Sequence, residues 1–155
     1  MSNGTAFSYG RMYFALLGVV TLAFGCAQII LGVTGISYTW GLLEMSGEFM
    51  LWRGLILLCA GFFFLSSLKD FSNIHQQGKM VLASGMIWII AVMEIFAMIT
   101  GSIPGGEDGG WFNTLDGFLE AYAGPYIPSL WLLPFSLVTL YYIRLSIRES
   151  NAVSS

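Results

Sequence analysis

The sequence predicts an all-α integral membrane protein, a four-helix bundle with a short amphipathic helix on its outer surface between helices 3 and 4. Three observations lead there. Of 155 residues, 56% are hydrophobic and 10% are charged, and the mean hydropathy is +0.75. Soluble domains of this size rarely have that composition, whereas chains that cross a bilayer do. Four apolar stretches approach or exceed the roughly 20 residues that span a hydrocarbon core. With four spans, every lysine and arginine outside the spans falls on one side. The chain reads as one membrane domain, residues 1–155, multi-pass and placed in the cell membrane.

The first span covers about residues 12–34. It opens after Arg11 as a secretory signal would, but runs on through "IILGVTG" with no convincing small-x-small cleavage site. It therefore reads as a retained helix. The second span covers about 49–68 and the third about 80–100. The fourth, about 128–147, opens on Pro128, where a helix tolerates a missing N–H. Pro134 should kink it and free the Leu130 carbonyl.

Arg11, Lys69, Lys79, Arg144 and Arg148 place both termini and the middle loop in the cytoplasm. The outer loops carry Glu44, Glu48, Glu107, Asp108, Asp116 and Glu120 and no base. Trp40, Trp52, Trp111 and Tyr126 fall near the outer boundary, and Tyr13, Phe14, Tyr141 and Tyr142 near the inner one, as in an aromatic belt.

Polar residues inside the spans gather at one depth. Arg53 lies about one turn into the second helix, and Glu94 about a turn and a half before the end of the third. Gln28 lies at a similar level in the first. Ionisable side chains in a bilayer usually face the bundle and pair. An Arg53–Glu94 pair, with spare Arg53 donors reaching Gln28, reads as a structural clasp in preference to a proton relay. No second buried acid, lysine or histidine continues the line.

Gly18, Gly25 and Gly32 recur every seven residues in the first helix, and Gly54 and Gly61 repeat the step in the second. Seven residues return nearly to the same helix face, and small residues let membrane helices approach closely. A tight hairpin of the first two helices follows, with Gly32 near Gly54 and Gly25 near Gly61 in depth. The alternative is a stripe facing a partner subunit.

Before the fourth span, "GGEDGG" makes a flexible break. Trp111, Leu115, Phe118 and Tyr122 then follow at helical spacing, with Asn113, Asp116 and Glu120 toward another side. This segment is too short and too charged to span. It should lie along the outer surface, capping the bundle or resting on a neighbouring subunit.

Several chemistries have no residues to carry them. The net charge of −3 and the lack of a basic stripe argue against nucleic acid. His75 is the only histidine, so this chain alone cannot ligate a haem through two. No phosphate loop, nucleophile elbow or HExxH is present. Cys26 and Cys59 read as buried small apolar residues in preference to a disulfide, and the eight methionines as packing. No catalytic, cofactor-binding or metal-binding residue is assigned, and no enzyme is expected.

The expected function is that of an accessory or structural subunit of a larger membrane complex, with electron-transfer or ion-translocating energy-converting assemblies as hosts. Its partners would be lipid, other membrane subunits and a basic extracytoplasmic protein. The alternative is an autonomous oligomeric proton or ion channel or carrier that uses Glu94. A conduit needs polar groups at successive depths, and the sequence places them in one layer.

Overall fold

The computed structural model describes residues 3–47, 49–70, 73–103, 113–120 and 122–154. The chain is predominantly helical. Helix α1 runs Asn3–Thr34, α2 Met50–Ser67, α3 Ile74–Ser102, α4 Leu115–Glu120, α5 Pro128–Ser136 and α6 Val138–Ser154. Three helices are long and apolar enough to cross a membrane: the stretches Ser8–Thr34, Met50–Ser67 and His75–Ser102.

The fourth apolar stretch is helical in two pieces. α5 and α6 meet at Leu137, three residues past Pro134, so neither piece alone has the length of a crossing helix. Proline removes one backbone donor and crowds the preceding turn. Beside the break, the Tyr13 hydroxyl of α1 donates to the Phe135 carbonyl at 2.9 Å. α1 and α3 also begin earlier than their apolar runs, at Asn3 and Ile74. The Asn73 side chain caps α3 by accepting from the His75 N–H at 2.9 Å.

A small β-hairpin, absent from the sequence expectation, separates α1 from α2. Strands β1 (Tyr38–Trp40) and β2 (Leu43–Met45) pair antiparallel, with Trp40 opposite Leu43. The two-residue turn carries Gly41 at φ +58°, the first-position glycine that type II′ hairpins favour. β2 is also tied to the segment before α5: Tyr126 N–H donates to Leu42 O at 2.8 Å, and Glu44 N–H to Tyr126 O at 2.9 Å. The hairpin between α1 and α2 is thus tied to the segment that leads into α5.

The tightest contact is between α1 and α2. Gly18, Gly25 and Gly32 of α1 and Gly54 and Gly61 of α2 each receive a side chain or backbone segment of the other helix. A Cβ on Gly18 would meet Leu65 at 3.0 Å, one on Gly25 would meet the Leu58 backbone nitrogen at 2.5 Å, and one on Gly32 would meet Leu51 at 2.8 Å. Conversely, Gly54 faces Ile29 at 2.9 Å and Gly61 faces Leu22 at 2.7 Å. Leu51, Leu58 and Leu65 carry their own seven-residue step, as do Leu22 and Ile29. The glycines therefore interleave with bulky residues. The register expected from depth, Gly32 by Gly54 and Gly25 by Gly61, is off by about one turn. Glycine against glycine would leave a void, whereas glycine against leucine fills it.

The core between the helices is apolar. Phe14, Leu57, Ala60, Phe64, Ala83 and Ile87 are fully buried. Phe14 stacks on Phe64 at 5.9 Å between ring centroids and meets Tyr142 edge-on at 5.5 Å. Phe14 is therefore a core residue joining α1, α2 and α6, and does not serve the inner aromatic belt expected of it. Cys26 and Cys59 are free thiols, both half-buried.

Gly25→Ala should destabilise the fold by roughly 1–3 kcal/mol, because the added methyl meets backbone that cannot move aside. Gly85→Ala, where nothing lies within 4 Å of the new Cβ, should be neutral or slightly stabilising. Thermal unfolding of both variants in one detergent reads the difference. Equal midpoints would contradict the close α1–α2 approach.

Candidate functional site

At the hairpin end, α2, α3, β2 and Ile127 enclose a cleft of about 580 Å³. Its charged residues come from three elements. Arg53 sits in the first turn of α2, Glu94 in the last third of α3 and Glu44 on β2. The Arg53 guanidinium lies with Nη1 3.4 Å from Glu94 Oε2 and also donates through Nη2 to the Ser46 carbonyl. The Ser46 hydroxyl in turn donates to the Glu44 carboxylate. Local backbone geometry makes this possible. Gly47 adopts φ +93°, and a Cβ there would approach Arg53 Nη2 at 3.2 Å, so a side chain would meet both strain and crowding.

The Arg53–Glu94 contact is longer than the roughly 2.7–2.9 Å of a strong charge-assisted bond. Its side chains are 16% and 31% exposed. Arg53 Nε is buried with no hydrogen-bond partner among the described residues. The guanidinium is thus held from one side by a carboxylate and from another by a carbonyl, and its buried Nε–H is left without an acceptor among the described residues.

Gln28 is not part of this group. It is buried, its Oε1 lacks a partner among the described residues, and its Cβ would lie 3.0 Å from a Cβ on Gly54. Adjacent helical residues project about 100° apart. Gly54 faces α1, so Arg53 is turned toward α3, and equal depth does not bring Arg53 to Gln28. An orphan amide oxygen of this kind costs about 1–3 kcal/mol.

A second polar seam lies further along α3. The Ser84 and Thr139 hydroxyls are 2.7 Å apart, and Trp88 Nε1 donates to Ser136 Oγ at 2.8 Å. This corrects the expectation that polar groups stop at one layer. The added groups are hydroxyls and an indole, none of which titrates near neutral pH. They join α3 to α5 and α6 by bonds closed within the bundle.

The expected contact segment is only partly described. Trp111 lies outside the described residues. Leu115 and Leu119 in α4 are 75% and 58% exposed. Phe118 packs on Tyr122 with centroids 5.1 Å apart, and the Tyr122 hydroxyl is 3.1 Å from Ser102 Oγ at the end of α3. The segment is anchored at Tyr122, while no residue of α4 is buried. Its start is set by Thr114, whose Oγ1 accepts from the Gly117 N–H at 3.2 Å.

The sequence places Glu44 only among the outer acids and gives Ser46 no role, because their convergence on Arg53 depends on the β1–β2 hairpin. The signal was present. Tyr38, Thr39 and Trp40 are good strand formers, and Gly41 follows them at the turn. Among the described residues, no three His, Cys, Asp or Glu side chains converge to hold a metal ion.

In a double-mutant cycle, Glu94→Gln should lower the yield of folded protein by leaving Arg53 with a weaker partner, and Arg53→Glu should lower it further. The combined Arg53→Glu, Glu94→Arg exchange should recover part of the loss. An exchange no better than the worse single variant would mean that the two groups do not couple.

No protein-family model matches the chain, and neither the curated proteins nor the solved structures yield a match.

Proposed function

We propose that this chain is a four-span protein of the cell membrane that works by contact, as an accessory subunit of a larger membrane assembly. The observation that carries this reading is the apolar fill of the bundle between its polar layers. Leu57, Ala60, Phe64, Ala83 and Ile87 leave no exposed surface inside it. An ion moving from Glu94 along the bundle axis would meet hydrocarbon, where a charge is very costly. The hydroxyl seam at Ser84 and Thr139 is closed on itself and supplies no titratable step.

The outer faces fit the same reading. Leu16, Val19 and Ile30 on α1 and Ile89, Val92 and Phe96 on α3 are exposed. A bilayer or a neighbouring subunit would cover them. α5 and α6 together supply the fourth crossing, with the Tyr13 hydroxyl bonding to the Phe135 carbonyl beside their junction.

The acidic surface narrows. Glu44 is engaged with Ser46, while Asp116 and Glu120 are exposed on α4. Glu48, Glu107 and Asp108 lie outside the described residues. An acidic extracytoplasmic face attracts a basic partner, with an attraction that weakens as salt rises. Electron-transfer and ion-translocating complexes remain the proposed hosts.

Two measurements test the reading. Single cysteines at His75 and at Asp116, in a background lacking Cys26 and Cys59, should differ in whole cells: an impermeant thiol reagent is expected to label position 116 and spare 75. The reverse pattern would invert the topology. Gentle solubilisation of the native membrane should release the chain in an assembly larger than its own oligomers. Recovery only as a monomer or homo-oligomer would contradict the subunit role.

A further inference from the structure

The cleft beside Arg53 carries more chemistry than a helix clasp requires. We propose that it binds the headgroup of a phosphoethanolamine-type phospholipid, with the phosphate on Arg53 and the primary ammonium between Glu44 and Glu94. The inference rests on reading α2 and α3 as membrane spans whose hairpin end lies at the membrane–water interface.

The charge pattern selects a zwitterion. One guanidinium and two carboxylates line a single cleft of about 580 Å³. A purely anionic headgroup would meet a net negative site. A purely cationic ligand would leave the buried Arg53 Nε–H without an acceptor. A phosphate oxygen takes the Nη hydrogens that Glu94 and Ser46 leave free, and the guanidinium suits it because its fork matches phosphate geometry. The 3.4 Å separation of Arg53 from Glu94 leaves both groups capacity for stronger bonds. Glu44 uses Oε1 for the Ser46 hydroxyl, which leaves Oε2 for an ammonium.

The walls select an amphiphile. Phe49 at the start of α2, Trp52 on α2 and Met93 on α3 are about two-thirds exposed and line the cleft. Ile56 and Ile90 line its apolar part. A charged end continuing into an apolar strip between two spans matches a headgroup with its acyl chain. A primary ammonium fits better than a quaternary one, since it donates hydrogen bonds to carboxylates.

The test uses the full-length protein in mild detergent with equal amounts of ethanolamine, glycerol and choline phospholipids of identical acyl chains, read by native mass spectrometry. The ethanolamine lipid should be retained about tenfold more than either competitor, the factor that one charge-assisted hydrogen bond supplies. Ala97→Phe adds bulk to the cleft lining without touching a charge, and should abolish that preference. Glu94→Gln should weaken it. Soluble phosphoethanolamine should leave the lipid adduct in place. Retention of the glycerol lipid equal to that of the ethanolamine lipid would overturn the proposal, as would a preference unchanged by Ala97→Phe. Displacement by the soluble headgroup alone would also overturn it, by making the occupant a free zwitterion. The same preparation separates this from failure of the membrane reading. A chain that alkaline washing strips from membranes contradicts the spans, whereas an inserted chain without headgroup preference contradicts only the lipid site.

Discussion

The close approach of α1 and α2 sets the geometry of everything beside it. Gly25 brings the α1 backbone against the backbone of Leu58, and Gly54 and Gly61 receive Ile29 and Leu22. Where apolar surroundings weaken the hydrophobic drive between helices, such packing is a main source of association. The interlock also fixes the rotation of α2. With Gly54 turned to α1, Arg53 must turn toward α3 and the cleft, and Gln28 is trapped on the opposite side. One steric contact thus determines which carboxylate the arginine meets.

A second constraint acts on polar groups, since each one buried among apolar side chains needs an internal partner. Most of the bundle obeys it with short local bonds. Thr21 donates to Leu17 O at 2.7 Å, Ser84 meets Thr139, Trp88 meets Ser136, and Tyr13 answers the broken helix at Phe135. Among the described residues, Gln28 Oε1 and Arg53 Nε are two exceptions. They differ in setting. Gln28 is enclosed by helix packing, while Arg53 borders a cleft with room for a ligand. That difference is why the cleft, and not the glutamine, supports a binding proposal.

Much of this arrangement is legible in the sequence. The three apolar runs that form α1, α2 and α3 are long enough to identify by length alone. The seven-residue glycine step identifies the face on which α1 and α2 meet, because a step of seven preserves helix face. Register is harder. Depth counts compare helix ends, and an error of a few residues at an end shifts every pairing by a turn. The hairpin at Tyr38–Met45 is three residues a side, too short for alternation to declare itself. The cleft needs that hairpin, because it is the hairpin that carries Glu44 and Ser46 to Arg53. Ser84, Ser136 and Thr139 are small, common residues, and only their spatial convergence marks them.

The proposed subunit role requires a filled bundle that does not conduct. Proton and cation flux across liposomes containing the purified protein measures this most directly. The expected result is a flux equal to that of protein-free liposomes under both a pH gradient and an electrical potential. A flux carried by the wild-type protein and lost in Glu94→Gln would contradict it, and would make Glu94 the ion site of a channel or carrier.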